Sequence, residues 1–397
     1  MPDRRRSAAR VVTAATLTML VAAWPPFLVA VLAPSMSAIG VDVALVAGGV
    51  AVFFALAAVL SPLGGRMVGR VGPQCALRLV AGGSAAICGC LAFAGDGTAV
   101  LVALGAVGAL NCIVQPATNA LIRAGVPVRS QGLGFGIVQA AIPFTVVAAG
   151  ALVPLVRSTG TWRAAFVVAA GVGVVALIAV PRSAGSASRP RDAVRRVATR
   201  SWGSPQLAVL ALAAACAAAS ATALAALAAS GGAGMGLPAD AIAVAIAAMG
   251  LACAALRALA GRLAGWRPDS KAPTGLLVMI VLFLIGAGGF ALLATGDRDL
   301  FSVGVILAYG FGWAWTGVLN LVVSSRSDDV ARATGRTQMG VFAGAALGPA
   351  VFAFLAGGDP ALRFSWTVGV ALLLVAVVCV AAVWFRDQRG SVTGADP

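Results

Sequence analysis

The sequence contains no histidine and no glutamate: its 13 acidic residues are all aspartate, and its single lysine is Lys271. Metalloenzymes and proteases usually draw their metal ligands and general bases from histidine, glutamate or clustered aspartate. The chain also lacks a Gly-x-x-x-x-Gly-Lys-Ser/Thr stretch of the kind that holds ATP phosphates. We therefore expect no enzymatic activity, no metal site and no cofactor.

Charge is scarce as well, with 10% charged residues against 60% hydrophobic residues. Soluble proteins carry about 25% charged residues, so this composition predicts an integral membrane protein. The net charge of +15 would suggest nucleic acid binding in a soluble protein. Here the cations fall in loops between apolar runs, so membrane topology explains them better. The expected partners are the lipid bilayer and a small-molecule solute, without nucleic acid, and the expected state is a monomer.

Twelve apolar runs are long enough to form helices that cross a bilayer, for which about 20 residues suffice. They cover 11–33, 44–65, 77–95, 99–122, 132–156, 163–180, 205–229, 239–262, 273–295, 300–323, 337–357 and 364–385. The pattern predicts an all-α integral membrane protein with 12 transmembrane helices in two parallel six-helix bundles. The predicted division is an N-terminal bundle over 1–180, a cytoplasmic linker over 181–204 and a C-terminal bundle over 205–397.

Lysine and arginine are divided unequally between the two sides that these helices define. One side holds 24 of the 28 cations, with both termini and the linker, and the other holds only Arg157, Arg163, Arg298 and Arg363. Because cytoplasmic loops are rich in lysine and arginine, the first side is predicted to be cytoplasmic. Each half has an even number of spans, so the halves would be parallel repeats about an axis along the membrane normal.

A short basic, glycine-rich loop follows span two and returns, altered, after span eight. The two loops read Gly65-Arg66-Met67-Val68-Gly69-Arg70-Val71-Gly72-Pro73 and Gly261-Arg262-Leu263-Ala264-Gly265-Trp266-Arg267. The first resembles the Gly-x-x-x-Asp-Arg-x-Gly-Arg signature of the major facilitator superfamily, with Gly65, Arg70 and Gly72 in matching positions. Gly69 replaces the aspartate and Pro73 the last arginine, and in the second loop Gly265 takes the acidic position.

The resemblance extends over the chain through its six-plus-six pattern and through Trp162-Arg163-x-x-Phe166 at the start of span six. The resemblance implies the fold of that superfamily, and the chain is similar to its bacterial cyanate-transporter-like or drug-efflux-like members. It also implies that the two loops latch the cytoplasmic side shut, through Gly65, Gly69, Arg70, Gly72, Gly261, Arg262 and Gly265. Because the usual acid is missing, we hypothesise that Arg70 pairs with Asp328 or Asp329. The alternative is that these are solvated loop charges.

Uncharged polar side chains lie deep within several predicted spans. Asn111, Gln115 and Thr118 share one face of span four, and Trp313, Thr316 and Asn320 share one face of span ten. Unpaired polar groups facing lipid are costly, so these faces are predicted to point inward. They either line a solute pathway or bond neighbouring helices. The pathway candidates are Trp24, Asn111, Gln115, Thr118, Gln139, Trp313, Thr316, Asn320 and Gln338.

Two further patterns concern the backbone. Trp24-Pro25-Pro26 in span one predicts a hinge or a cavity-facing break, because proline removes backbone donors, although an interfacial tryptophan is the alternative. Gly340, Gly344 and Gly348 in span eleven predict a flat stripe for close helix packing, which is also a possible sliding surface.

Ionisable residues inside a bilayer usually have a function, and this sequence has almost none. Arg257 lies furthest from a helix end and is predicted to reach back to the cytoplasmic interface, with anion binding as the alternative. Asp42 and Asp240 begin spans two and eight. They are predicted to stabilise the N-terminal ends of those helices, with proton coupling as the alternative.

These features together predict a secondary transporter in a bacterial cytoplasmic membrane, which works by alternating access. With so little buried charge, its solute is expected to be a small organic compound that is neutral, amphipathic or weakly ionic, and efflux is the expected direction. One alternative is uptake of a small nutrient or anion. The other is a membrane sensor or inactive paralogue that binds a solute without moving it.

Overall fold

Twelve long helices make up the protein in the computed structural model, which describes residues 2–181, 203–265 and 274–392. The first half contains α1 (Pro2–Leu32), α2 (Val43–Val71), α3 (Pro73–Ala92), α4 (Gly97–Gly125), α5 (Val128–Ala151) and α6 (Arg163–Ala179). The second half contains α7 (Ser204–Gly234), α8 (Ala239–Ala264), α9 (Thr274–Ala294), α10 (Arg298–Ser325), α11 (Val330–Leu355) and α12 (Arg363–Val392). Residues 182–202, which include most of the predicted linker, and Trp266, Arg267 and Lys271 lie outside the described residues.

The predicted number of spans is confirmed. Eleven of the helices are long and apolar enough to cross a membrane, and α6, with 17 residues, is a shorter apolar helix. A 3₁₀ segment, Ala33–Ile39, continues α1, and a short helix, Val153–Thr159, continues α5. No strand occurs in the described part of the chain, so the fold is all-α.

Aspartates at the helix starts explain where several helices begin. The carboxylates of Asp42 and Asp96 accept the backbone N–H groups of Leu45 and Ala99, each at 2.7 Å, and so cap α2 and α4. Asp240 lies in the first turn of α8. A negative charge at this end offsets the partial positive charge of the exposed N–H groups. The predicted helix-end role of these residues fits the structure.

Trp162 and Arg163 fasten α6 to the end of α3. The Trp162 ring meets the Phe166 ring edge-on, with centroids 5.8 Å apart. The Arg163 guanidinium stacks on Trp162 and donates to the carbonyl oxygen of Ala92 at 2.6 Å. Because Ala92 ends α3, this bond satisfies a carbonyl that has no helical donor.

Helix α1 runs unbroken through Pro25 and Pro26. The predicted break at Trp24-Pro25-Pro26 is therefore wrong, whereas the alternative of a hinge stays a prediction, since both prolines lack a backbone donor. Trp24 is 4% exposed and belongs to a hydrophobic cluster of the first half, with Leu28 and Val29. It is not an interfacial tryptophan.

The glycine stripe of α11 packs against α7, within the second half. A Cβ atom added to Gly340, Gly344 or Gly348 would lie 2.0, 2.0 or 2.3 Å from a carbonyl oxygen of α7, those of Ala211, Ala215 and Ala219 respectively. The two backbones touch along three turns because neither carries a large side chain there. The stripe is a packing surface inside one bundle, so it does not slide between the halves.

Replacement of Gly344 by alanine should destabilise the protein, because the new methyl group meets backbone rather than a movable side chain. The expected cost is about 1–3 kcal/mol. Thermal unfolding of the detergent-solubilised protein measures it. Gly250→Ala is the matched control, since nothing lies within 4 Å of its added Cβ, and it should leave the melting temperature unchanged or raise it. Equal melting temperatures for the two variants would contradict the close α7–α11 contact.

Candidate functional site

Within the described residues, two of the contacts between the halves are helix crossings built on glycine. At the first, a Cβ on Gly65 of α2 would lie 2.5 Å from the Ala331 carbonyl oxygen of α11, and one on Gly335 would lie 2.5 Å from that of Ser61. At the second, a Cβ on Gly132 of α5 would lie 2.2 Å from the carbonyl oxygen of Gly261 in α8. Both crossings lie toward the arginine-rich side, the side on which α2 and α8 end.

The predicted latch residues divide into two groups. Gly65, Gly261 and Gly265 lie in the crossings, and the Cβ of a side chain at Gly265 would come within 3.3 Å of the Gly132 Cα atom. Gly69 faces open space and lies outside both crossings. Gly72 has φ +85° and separates α2 from α3, a conformation that favours glycine.

The hypothesised Arg70 ion pair is wrong. Arg70 is exposed and forms no ion pair in the described part of the chain, and Arg262 is exposed as well. Asp329 instead pairs with Arg332 at 2.9 Å and caps the start of α11. Asp329 caps its own helix because the N–H group and the guanidinium of Arg332 lie within one helical turn of it, whereas Arg70 extends into solvent.

A largely buried ion pair between Arg326 and Asp387 has no counterpart among the sequence predictions. Their side chains are 13% and 9% exposed, and the closest atoms, Nη2 and Oδ2, are 2.9 Å apart. The pair joins the end of α10 to α12 on the arginine-rich side, within the second half. It fixes that bundle and does not link the two halves.

A buried polar cluster bridges the halves beside these crossings, with Gln115 of α4 at its centre. The Gln115 side-chain oxygen accepts from the amide of Gln139 in α5 at 2.8 Å and from the amide of Asn320 in α10 at 3.2 Å. The amide of Gln338 in α11 donates to the Asn320 oxygen at 3.4 Å. All four side chains are at most 3% exposed. The structure thus joins four of the nine predicted pathway residues.

A second side-chain bond between the halves lies about one turn further along α4 than Gln115. The Asn119 amide donates to the Thr334 hydroxyl of α11 at 3.1 Å, and both side chains are buried. Neither residue was among the predicted candidates. Asn119 lies four residues after Gln115, so the helical spacing that selected Gln115 also identifies it.

The other predicted pathway residues have separate environments. Thr118 donates to the Gln115 backbone carbonyl at 3.0 Å, a bond within its own helix. The side-chain oxygens of Asn111 and Thr316 and the indole nitrogens of Trp24 and Trp313 are buried without a hydrogen-bond partner in the described part of the chain. The assumption that Trp313 shares a regular helical face is wrong, because α10 is π-helical over Ile306–Phe311 and forms a turn over 312–315.

Arg257 does not reach back to the interface, which corrects the prediction for this residue. Its side chain is 0% exposed, although it lies seven residues before the end of α8 at Ala264. Nη1 donates to the backbone carbonyl of Gln139, and Nε donates to that of Trp313 at 3.2 Å. The guanidinium carbon also lies 4.7 Å from the centroid of the Trp313 ring. The side chain therefore points into the junction between the halves.

Both carbonyls that Arg257 binds lack the donor of a regular helix. In a regular helix the Gln139 carbonyl would accept from the residue four positions later, which is Pro143 and has no N–H. The Trp313 carbonyl lies in the non-helical turn of α10. In a bilayer such groups need a partner from the protein, and the guanidinium supplies two N–H groups. Arg257 Nη2 is buried and has no partner within the described residues.

The major facilitator superfamily model matches residues 7–328 of the chain. Among solved structures, the human organic anion transporter MFSD10 (TETRAN) superposes with a TM-score of 0.74 at 16% identity, over 94% of this chain and 99% of that one. The transporter FucP in its outward conformation gives 0.67 at 13% identity, over 94% and 98%. A variant of the E. coli fucose:proton symporter FucP gives 0.66 at 11%, over 95% and 99%. At these identities the likeness concerns the fold alone. No curated protein sequence matches significantly.

Replacement of Gln115 by leucine should destabilise the junction, because the amides of Gln139 and Asn320 both lose their acceptor. A buried donor left without a partner costs about 1–3 kcal/mol. Thermal unfolding in detergent measures the loss. The control is Gln74→Leu at the start of α3, where the same change is made near the membrane surface. A loss that is no larger for Gln115 than for Gln74 would count against the bridging cluster.

Proposed function

The chain belongs to the major facilitator superfamily of membrane transporters, and we propose that it carries a small organic solute across the bacterial cytoplasmic membrane by alternating access. The central observation in support is the buried polar cluster around Gln115, in which the Asn320 amide of the second half donates to the Gln115 side-chain oxygen of the first half. In this proposal the solute binds at the cluster and exchanges its own polar groups for those bonds.

The contacts between the halves suit a structure that opens and closes. The glycine crossings bring backbones together without interlocking side chains, and separation of the halves also parts Phe54 of α2 from Phe342 of α11, whose ring centroids are 6.4 Å apart. The polar bonds between side chains of the two halves, Asn320–Gln115 and Asn119–Thr334, are individually weak in a membrane protein, about 0.6 kcal/mol on average. A solute that satisfies the same groups can therefore shift the equilibrium between the two states.

The arginine distribution gives the proposal its orientation. The crossings lie on the side with 24 of the 28 cations, which the positive-inside rule assigns to the cytoplasm together with both termini. Contacts on that side correspond to a transporter that is closed toward the cytoplasm. We propose efflux as the direction. Solute flux into vesicles that hold the protein in one orientation or the other distinguishes efflux from uptake.

A cross-link between Asn119 and Thr334 tests alternating access, because these side chains touch across the halves. The double variant Asn119→Cys/Thr334→Cys is made in a background without the seven native cysteines. It is reconstituted in vesicles and treated with a short thiol cross-linker that a reductant cleaves. Solute flux should fall at least about tenfold on cross-linking and return on reduction, since one closed state cannot complete the cycle.

The probes in that assay are neutral amphipathic compounds, small organic anions and sugars, first ranked by their effect on the melting temperature. Each single cysteine variant receives the same treatment and should keep its flux. Full flux through the cross-linked protein would refute alternating access between these halves. Solute binding without flux in the untreated protein would support the non-transporting sensor instead.

A further inference from the structure

The guanidinium of Arg257 carries a charge that the described part of the protein does not neutralise. Its hydrogen-bond partners are two backbone carbonyls, and its closest ring is Trp313. The thiol of Cys253, one turn earlier in α8, lies beside it. Described aspartates with assigned bonds are at helix ends or in the Arg326 pair, and none of them forms an ion pair with Arg257.

An arginine in this position needs compensation. A buried ion without a counter-charge is strongly unfavourable, and ionisable groups deep in membrane proteins usually take part in solute or ion pathways. Carbonyl dipoles and an aromatic face offset part of the charge, since both are attracted to a cation. They leave Nη2 without an acceptor.

The unpaired polar atoms around α8 and α10 are mostly donors. Arg257 Nη2 and Trp313 Nε1 can only donate, and the Thr316 hydroxyl is able to donate. A ligand that satisfies them must be rich in acceptors. Among the described pathway residues, the Asn111 side-chain oxygen is an unpaired acceptor, and the Thr316 hydroxyl can accept as well as donate.

From this arrangement we propose that Arg257 is the anion-binding residue of the transport site and that the substrate is a small organic monocarboxylate. This inference rests on the proposed transport function and names its substrate class. One guanidinium offers one positive charge, so a monoanion gives a neutral complex. A doubly charged phosphate would leave a buried negative charge instead. The planar fork of arginine matches the two oxygens of a carboxylate, and the Trp313 face suits the organic part.

The same geometry connects binding to the movement of the halves. Arg257 belongs to α8 in the second half, and its bond to the Gln139 carbonyl reaches α5 in the first half, beside the Gly132–Gly261 crossing. A bound carboxylate competes with that carbonyl for the guanidinium. Anion binding would therefore weaken a bond at one of the two crossings and favour separation of α5 from α8.

Thermal shift in detergent tests the substrate class with three pairs of probes: acetate with acetamide, hexanoate with hexanamide, and benzoate with benzamide. Sodium chloride equalises the ionic strength. At least one carboxylate should raise the melting temperature of the unmodified protein more than its matched amide does. The added stability follows ln(1 + [L]/Kd) for the carboxylate. If no carboxylate exceeds its amide, the proposal is overturned.

Variants at Arg257 identify the residue. Arg257→Gln should raise the Kd for the carboxylate by about 10- to 100-fold, the usual effect of losing one charge-assisted hydrogen bond. Arg257→Lys keeps the charge without the fork, so its loss should be smaller. It also serves as the folding-competent test if Arg257→Gln fails to fold. Arg10→Gln, at an exposed arginine in α1, is the control and should bind as the unmodified protein does. Unchanged affinity in both Arg257 variants would refute the assignment.

Vesicle flux separates this inference from the proposed function. Carboxylate binding that depends on Arg257, without any flux, would disprove transport and leave the anion site standing. Flux of a neutral solute that Arg257→Gln leaves unchanged, with no carboxylate binding, would disprove the anion site and leave transport standing. Flux of the carboxylate that falls with Arg257→Gln supports both.

Discussion

Every backbone N–H and C=O group inside a bilayer must find its partner within the protein, and this constraint shapes the centre of the molecule. Pro143 removes the donor that the Gln139 carbonyl would use, and the irregular segment of α10 takes the Trp313 carbonyl out of a regular helix. One arginine on α8 satisfies both groups. The missing donor in α5 and the irregular segment of α10 thus explain why a cation is held in the protein interior. They also place it at the junction between the halves.

Small residues provide the second condition for that arrangement. At the two crossings between the halves and along the α7–α11 contact, glycine lets backbones approach so closely that an added Cβ would overlap a carbonyl oxygen. The α7–α11 contact lies inside one bundle, whereas the glycine crossings between bundles lie toward the arginine-rich side. The same packing principle therefore serves rigidity within a half and separability between halves.

Much of the fold follows from the sequence because the membrane makes its signals strong. The twelve apolar runs and the helix-capping aspartates, such as Asp42, correspond to the observed helix positions. The site was only partly predictable. Periodicity selected Gln115 and Asn320 correctly as inward-facing residues, but it also assumed a regular helix at Trp313, where the backbone is π-helical and then turns. Periodicity reports which face a residue occupies only where the helix is regular.

Local composition and spacing were enough to predict a multi-pass membrane protein, the positions of its helices and the polar residues that are buried inside it. A bilayer converts these local properties directly into helices and orientation. The environments of Arg257, Gly69 and Arg70 depended instead on how the helices pack. Whether an arginine near a helix end reaches water or turns inward depends on carbonyls that other helices present to it. Those carbonyls are brought beside it by contacts between residues far apart in the chain, Arg257 and Gln139 among them.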